Sequence, residues 1–220
     1  MLIIIPAYNE EANIGRIVRQ CRSYGRVVVI DDGSWDLTAA KAIDSGAHVI
    51  SHGENKGYGE ALQTGYRYAL EHGYGILIQL DADGQHEPRY IPALMQAIHD
   101  GADMVLGSRF LDTPGYRIPF FRRTGMKLFA VMASRICKRR FTDTTSGYRA
   151  MNRRTIEFCV GEKYPRDCPD ANALVMMHRA GLRLREIPVK MRANMKGTSM
   201  HSGIEPVFYV FKMLFNLGRG

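Results

Sequence analysis

The sequence predicts an α/β fold in which a mostly parallel, mixed β-sheet is flanked by helices. Short apolar runs alternate with helical segments from residue 1 to about residue 110, as in strand–helix–strand units. Three of these runs end in charged or glycine-bearing turns, and the carboxyl ends of parallel strands meet at the edge where such sheets bind ligands. With 220 residues, the chain has room for one well-packed domain and little room for a second.

Five strands and four helices are predicted in the first half. The run at Ile76–Leu80 has one polar interruption, which suits a strand buried on both faces. The predicted strands are Leu2–Ile5, Val27–Ile30, His48–Ser51, Ile76–Leu80 and Asp103–Leu106. The predicted helices are about Glu11–Arg22, Leu37–Asp44, a helix that ends near Glu71, and Pro88–His99.

The second half differs, because one segment mixes large apolar groups with many cations. Leu128, Met132 and Ile136 fall at i, i+4 and i+8, which predicts a helix within Ile118–Phe141. Both a core-packed helix with solvated charges and a helix at a membrane interface fit this pattern. Its cations are Arg122, Arg123, Lys127, Arg135, Lys138, Arg139 and Arg140. The later predictions are a loop entering a strand at Thr142–Met151, a helix at Asp170–Ala180, a strand at Leu182–Val189 and a short apolar helix at Pro206–Leu217.

Two carboxylates, Asp81 and Asp83, follow the run at Ile76–Leu80 directly. At this spacing they repel each other unless something neutralises them. Oxygen ligands from both aspartates and from the Gln85 amide suit Mg²⁺ or Mn²⁺, with water and phosphate in the remaining positions. The alternative is a helix-capping turn in which Asp83 or Gln85 binds the amides before Pro88. The position of the pair at the end of a buried strand favours the metal.

A second acidic turn, DDGS at 31–34, follows the run at Val27–Ile30. Capping of the next helix by Ser34 or Asp36 leaves Asp31 and Asp32 unexplained. The glycine-bearing loop at 53–59 is neither a Walker A loop nor a G-x-G-x-x-G motif, so taken alone it predicts a flexible turn.

The net charge of +8 at pH 7 indicates an anionic partner. Nucleotide phosphates and anionic lipid both satisfy it, whereas nucleic acid is disfavoured because the cations cluster with apolar residues. The four cysteines form no C-x-x-C pair, so we expect reduced thiols. No run reaches the roughly 20 apolar residues of a spanning helix, and no signal peptide is predicted. We therefore expect a cytoplasmic protein, peripheral at the inner face of the membrane.

Six motifs occur in a fixed order: PAYNE at 6–10, DDGS at 31–34, NKGYGEAL at 55–62, DADGQH at 81–86, GSR at 107–109 and TSGYRA at 145–150. Together they make the chain resemble the family-2 glycosyltransferases of GT-A fold, from Ile3 to about Gly203. Within that family the chain is most similar to the polyprenyl-phosphate sugar transferases of the dolichyl-phosphate mannose synthase type. The resemblance implies an inverting transferase that moves a sugar from a GDP- or UDP-sugar to a lipid phosphate at the cytoplasmic membrane face.

The resemblance also implies roles for individual residues. Asp81, Asp83 and Gln85 would hold the metal against the diphosphate, where a divalent cation stabilises the leaving group. Asp83 and Arg109 are expected to be catalytic. The residues expected to bind the donor are Pro6, Tyr8, Glu10, Asp32, Gly57 and Asp81, with Asp32 on the base. Arginines expected to bind phosphates through forked hydrogen bonds are Arg109, Arg149 and one of the pair Arg122 and Arg123.

The acceptor decides whether a general base is needed. A hydroxyl acceptor needs a carboxylate to take its proton, whereas a polyprenyl phosphate is already an anion. Asp143 and Asp170 are the acids available for this task in the second half. Family members often carry an acid where this chain has Asn172, and that departure mildly favours the phosphate acceptor.

We expect one GT-A domain at 1–203, with a nucleotide-binding half at 1–110 and an acceptor half at 111–203, followed by the short apolar helix within 204–220. Many relatives continue into membrane-spanning helices, so membrane contact here is expected to depend on the basic segment and the last helix. A saccharide or other hydroxyl acceptor in cell-envelope polysaccharide synthesis, a non-catalytic nucleotide-sugar-binding protein, and a homo-oligomer remain open. A sugar-nucleotide pyrophosphorylase is disfavoured, because PAYNE lacks a glycine-rich loop with a basic residue.

Overall fold

The structure, a computed structural model, describes residues 1–111, 130–161, 164 and 171–192. Its strands are β1 (Leu2–Ala7), β2 (Arg26–Asp31), β3 (His48–Ser51), β4 (Ile76–Gln79), β5 (Met104–Ser108), β6 (Arg149–Asn152) and β7 (Leu184–Pro188). Its helices are α1 (Ile14–Cys21), α2 (Thr38–Asp44), α3 (Tyr58–Glu71), α4 (Ile91–His99), α5 (described over 130–136), α6 (Arg153–Val160) and α7 (Ala171–Arg179).

The strands form one seven-stranded sheet in the order β3-β2-β1-β4-β6-β5-β7. Strand β6 runs antiparallel to both β4 and β5, and the other neighbouring strands pair in parallel. The predicted α/β fold with a mostly parallel mixed sheet is therefore confirmed.

Helices cover both faces of the sheet. Leu2 and Ile4 of β1 pack on the face that carries α3, α6 and α7, whereas Ile3 and Ile5 pack on the face that carries α1, α2 and α4. All four side chains are fully buried, because alternate residues of a strand point to opposite faces. Burial on both sides explains why the central strands read as continuous apolar runs.

The short helix α6 was not predicted from the sequence. Its first residues, Arg153 and Arg154, are exposed and charged, and its apolar side is narrow. The helix is fixed at its start by Asn152, whose side chain accepts a hydrogen bond of 3.0 Å from the backbone N–H of Thr155. The predicted helix at Pro88–His99 starts with a 3₁₀ turn at Pro88–Tyr90 before α4 begins.

The described part of the basic segment is packed against the core. Ala133 and Cys137 are buried there, while the cations point to solvent; the exposed cations are Arg135, Lys138, Arg139 and Arg140. Arg122, Arg123, Lys127, Asp170 and the helix predicted at Pro206–Leu217 lie outside the described residues. Over the described ranges, no helix has the length and hydropathy needed to cross a bilayer. Cys21, Cys137 and Cys159 are buried free thiols, as expected.

Candidate active site

The carboxyl ends of β1, β2 and β4 bring three of the predicted motifs to one edge of the sheet. Ala7 of β1 is in register with Asp31 of β2, and the amide of Asp32 donates to the Ala7 carbonyl at 2.9 Å. The turn after β1 is bound to the turn after β2, since the Asn9 amide donates to Ser34 Oγ at 3.0 Å. Pro6, Tyr8 and Glu10 thus lie beside the DDGS turn, and their predicted contact with a nucleoside stays a prediction.

Asp32 fixes the glycine-bearing loop at 53–57. Its carboxylate is buried and accepts hydrogen bonds from the amides of Lys56 at 3.0 Å and Gly57 at 2.8 Å. His52 Nδ1 lies 2.7 Å from the same carboxylate. The contact with Gly57 requires a positive φ of 93°, which favours glycine at this position. Asp32 therefore orders the loop, and its predicted contact with a base stays a prediction.

Asp83 and Gln85 form a tight turn beside Asp81. Asp83 accepts from the Gln85 amide at 2.9 Å and from Gln85 Nε2 at 2.6 Å. Burial, and after it the negative charge of Asp81, raise the pKa of the Asp83 carboxyl above its ordinary value. The capping alternative is thus partly realised in the bond from the Gln85 amide, yet it does not account for the second carboxylate, Asp81, beside Asp83.

A chain of buried hydrogen bonds holds Asp81 from below. Tyr66 Oη donates to Gln79 Oε1 at 2.6 Å, Gln79 Nε2 donates to Tyr58 Oη at 3.1 Å, and Tyr58 Oη donates to Asp81 Oδ1 at 2.8 Å. The Gln79 amide donates from its nitrogen and accepts at its oxygen, and the Asp81 carboxylate can only accept. Each of these three hydrogen bonds therefore has a defined direction. Gln79 is the polar interruption of the apolar run at Ile76–Leu80, and that interruption was the sequence signal for this network.

Gly147 of the TSGYRA motif closes the other side of Asp81. A β carbon at position 147 would lie 2.8 Å from Asp81 Oδ1 and closer still to Oδ2. A β carbon essentially never comes within 3.0 Å of a non-bonded heavy atom, so any larger residue at 147 must displace the carboxylate. The motif therefore supplies a gap into which Asp81 fits.

We expect Gly147→Ala to lower the rate of sugar transfer by about 10- to 100-fold, in the range seen when a group that orients a metal ligand is lost. The neighbour that must move is the end of a side chain, so the melting temperature should change little. Initial rates and thermal melts measure the two effects. Gly75→Ala is the matched control, because a β carbon there meets open space and Gly75 precedes β4, at the end of the strand away from this edge. A Gly147→Ala protein with wild-type turnover would show that Asp81 need not stay in this position.

Arg109 and Asp143 form a buried ion pair. Arg109 Nε and Nη2 donate to the two carboxylate oxygens at 2.6 and 2.7 Å, and the Arg109 amide donates to the same group at 3.0 Å. Glu186 of β7 fixes the loop from the other side, since it accepts from the amides of Thr142 and Asp143. The edge of Arg109 that was expected to bind a phosphate is thus used by Asp143, and the pair orders the loop at 142–145.

Arg149 lies in the core, and its predicted role as a phosphate ligand stays a prediction. The residue is 1% exposed and its Nε donates to the Ser146 carbonyl at 2.9 Å. Strand β6 places it between β4 and β5, in register with Gln79. Asn172 is half-buried on α7. Asp170, Arg122 and Arg123 lie outside the described residues.

The donor set at 81–85 fits a hard divalent cation. Two carboxylates and one amide offer oxygen atoms, and the pKa of the Asp83 carboxyl is raised first by burial and then by the negative charge of Asp81, which a bound cation would offset. In the described ranges no group of three or more His, Cys, Asp or Glu side chains has metal-holding geometry, so the third protein ligand would have to be the Gln85 amide. The residues present therefore fit Mg²⁺ or Mn²⁺ better than zinc, which favours nitrogen and sulfur ligands.

Comparison with known proteins places this edge in context. The sequence profile of glycosyl transferase family 2 matches residues 2–158. A polyprenol monophosphomannose synthase of Mycolicibacterium smegmatis is 35% identical over 71% of this chain, which spans 63% of that relative's length. A UDP-N-acetylglucosamine–dolichyl-phosphate N-acetylglucosaminyltransferase of Methanococcus voltae is 29% identical over 96% of this chain and 94% of its own.

A crystal structure of glucosyl-3-phosphoglycerate synthase from Mycobacterium tuberculosis, in complex with Mn²⁺, UDP-glucose and phosphoglyceric acid, has a similar fold. It superposes with a TM-score of 0.73 at 19% identity, over 99% of this chain and 79% of that one. At this identity the similarity concerns the fold, and the expected GT-A architecture is confirmed.

Proposed function

The chain belongs to glycosyl transferase family 2, and we propose that it is a metal-dependent, inverting enzyme that moves a sugar from a nucleotide-diphosphate donor to a polyprenyl phosphate. The observation that carries the proposal is the pair of crowded carboxylates, Asp81 and Asp83, at the carboxyl edge of β4. Asp81 is fixed by Tyr58 on one side and limited by Gly147 on the other. A fold gains nothing from holding two like charges together there, so the arrangement serves a ligand.

The donor site consists of the three turns at this edge. Asp81, Asp83 and the Gln85 amide would hold Mg²⁺ or Mn²⁺, which when bound supplies positive charge to the departing diphosphate. Tyr8 is 41% exposed, so its ring is accessible to a nucleoside, and Glu10 lies two residues further along the same turn. The loop that Asp32 orders would form the wall of the nucleoside site. The donor sugar is carried by GDP or UDP in this proposal.

A phosphate acceptor agrees with the second half of the site. The described carboxylates near this loop are occupied, since Asp143 binds Arg109 and Glu186 binds backbone amides. Neither is placed to take a proton from a hydroxyl. Asp143 is therefore better assigned to positioning than to base catalysis, and an anionic acceptor, which attacks without losing a proton, removes the need for a base. The two relatives named above carry polyprenol or dolichyl phosphate in their names.

A transfer assay tests this function directly. We expect label from GDP-mannose or a UDP-sugar to appear on a short-chain polyprenyl phosphate in the presence of Mn²⁺, and to vanish with EDTA. Chromatography of the lipid product measures it. A panel that includes phosphoglycerate and a free saccharide separates hydroxyl acceptors from the lipid phosphate. Transfer to a hydroxyl alone would overturn the acceptor, and donor binding without transfer to any acceptor would favour a non-catalytic protein.

We further propose that the domain at 1–203 works at the inner face of the membrane. The exposed side of residues 131–140 carries four cations and Val131, which is 48% exposed. Cations near an anionic surface contribute on the order of 1 kcal/mol each. The segment at 204–220 would add an apolar contact with lipid or with a second copy of the chain.

Vesicle flotation checks the membrane proposal. The protein should float with anionic vesicles at low salt and be released as salt rises, because the attraction decays within a Debye length. Replacing Arg135, Lys138, Arg139 and Arg140 together by glutamine should reduce the floated fraction. Neutral phosphatidylcholine vesicles are the control. A full-length protein that stays at the bottom of the anionic gradient contradicts the proposal.

A further inference from the structure

A cavity of about 420 Å³ lies behind the turn at 81–86, between α1 and the 3₁₀ turn at Pro88–Tyr90. Its charged side chains are three arginines and one glutamate, with a histidine in the wall: Arg16, Arg89, Arg192, Glu87 and His86. The proposed donor site uses none of these five residues. The cavity therefore needs an explanation of its own.

His86 offers the cavity a hydrogen-bond donor. Its side chain is buried and stacks on the ring of Tyr148, with 5.0 Å between ring centroids. Its Nδ1 accepts the backbone N–H of Asp81 at 3.0 Å, so in the neutral ring the proton is on Nε2. In the part of the chain that the structure describes, nothing accepts that proton. Because His86 lines the cavity, this N–H can donate to an acceptor that enters it.

Arg16 adds a third cation to the cavity. Within the described residues no carboxylate pairs with it, and its nearest polar partner is Gln20 Oε1 at 3.5 Å. Its Nη2 lies against Gly84, where a β carbon would collide with it and where φ is +79°. Glycine at this position thus lets the guanidinium rest on the turn that carries Asp81 and Asp83.

Arg89 and Arg192 share one carboxylate. Glu87 accepts from Arg89 Nε at 2.5 Å and from Arg192 Nε at 3.3 Å, so a single negative charge faces two positive ones. The two arginine side chains are 61% and 56% exposed. Together with Arg16, the cavity has two more positive than negative charges. Guanidinium groups and an N–H donor on one cavity match the oxygens of a phosphate group.

We propose that this cavity binds a phosphate group at a site separate from the donor diphosphate. A phosphate there accepts from His86 Nε2 and from the arginines, and it lies beside the turn at 81–86, to which His86 belongs. His86 and Arg16 connect the two sites, since one binds the Asp81 amide and the other lies on Gly84. The phosphate comes either from a small soluble ester or from the head group of a lipid.

Isothermal titration of inorganic phosphate into the metal-free, full-length protein tests the site. We expect Arg16→Gln to weaken phosphate binding about tenfold, the loss that follows removal of one charge-assisted hydrogen bond. Arg67→Gln, which removes an exposed arginine on α3 that pairs with Glu60, is the matched control and should bind as the wild type does. Asp83→Ala should also bind phosphate normally, because the donor carboxylates do not line the cavity.

A second titration identifies the source of the phosphate. Dihexanoyl phosphatidic acid that binds more tightly than inorganic phosphate, and loses this affinity in Arg16→Gln, assigns the site to lipid head groups. Equal affinities assign it to small phosphates. The proposal is overturned if the wild type binds neither, if Arg16→Gln binds both as the wild type does, or if Arg67→Gln is weakened equally. These titrations use neither donor nor metal, so their outcome is independent of whether the transfer assay succeeds.

Discussion

Asp83→Ala should abolish sugar transfer, with turnover at least about 10³-fold below wild type, because it removes a carboxylate on which the proposed metal site depends. The folded protein should tolerate the change. Burial and the charge of Asp81 raise the pKa of this carboxyl, which means that its ionised form is held at a cost to the metal-free fold. Where folding raises the pKa of a carboxyl, the folded state loses stability as the pH rises from the unfolded-state pKa to the folded-state pKa. At neutral pH the wild type carries this cost, so Asp83→Ala should melt no lower than wild type.

Transfer assays at saturating donor, thermal melts and Mn²⁺ titrations measure these effects. Asp100→Ala is a suitable control, since it removes an exposed carboxylate at the end of α4 whose described partners, Gln96 and Arg185, lie on the surface. Wild-type turnover in Asp83→Ala would remove the metal assignment. A variant that fails to fold would show instead that the turn at 81–85 serves the structure.

Asp143→Ala should lower the free energy of unfolding by about 3–5 kcal/mol, the cost of leaving a buried charge without its partner. Side-chain exposure is 0% for Asp143 and 10% for Arg109, so neither charge is well solvated. Arg109 would keep its bond of 2.8 Å to Thr145 Oγ1 but lose its two bonds to the Asp143 carboxylate, and the loop at 142–145 would loosen. Activity should fall as a consequence of that loosening.

Chemical denaturation with urea measures the loss of stability, and two comparisons make it specific. Glu157→Ala breaks an exposed pair with Arg153, whose side chains are 54% and 53% exposed, and should cost under about 1 kcal/mol. The double variant Arg109→Met with Asp143→Leu should recover much of the stability, because no charge is left buried. If Asp143→Ala keeps wild-type stability but loses all turnover, then Asp143 acts as the general base, an assignment that the sequence left open.

Local patterns in the sequence accounted for most of the fold. Buried strands were recognised as short apolar runs, and β3 was predicted with its observed bounds, His48–Ser51. Amphipathic helices such as α1 were recognised from residues three and four apart. The sequence did not predict helix α6, because eight residues with an exposed, charged face give only a weak hydrophobic periodicity. In the folded protein its contacts with α3 stabilise it.

The candidate site was predicted in part, through residues that adjoin a strand end. Asp81 and Asp83 could be placed because a buried strand leads directly into them. The partners that hold Asp81 could not, since Tyr58 and Gly147 come from other elements. The role of Asp32 in binding the loop amides, and the His52 contact beside it, depended likewise on how β2 and β3 lie next to each other.

The sequence by itself determined the strand–helix alternation, the turn that carries the paired carboxylates and the family to which the motifs belong, because each depends on neighbouring residues or on their order. Only the tertiary structure decided which distant groups meet. Strand β6 enters the sheet antiparallel between β4 and β5, and this placement buries Arg149 beside Gln79 and sets Gly147 against Asp81. The pairing of Arg109 with Asp143 follows from the same strand order. Such contacts depend on which strands become neighbours, and hydrophobic periodicity along the chain does not encode that order.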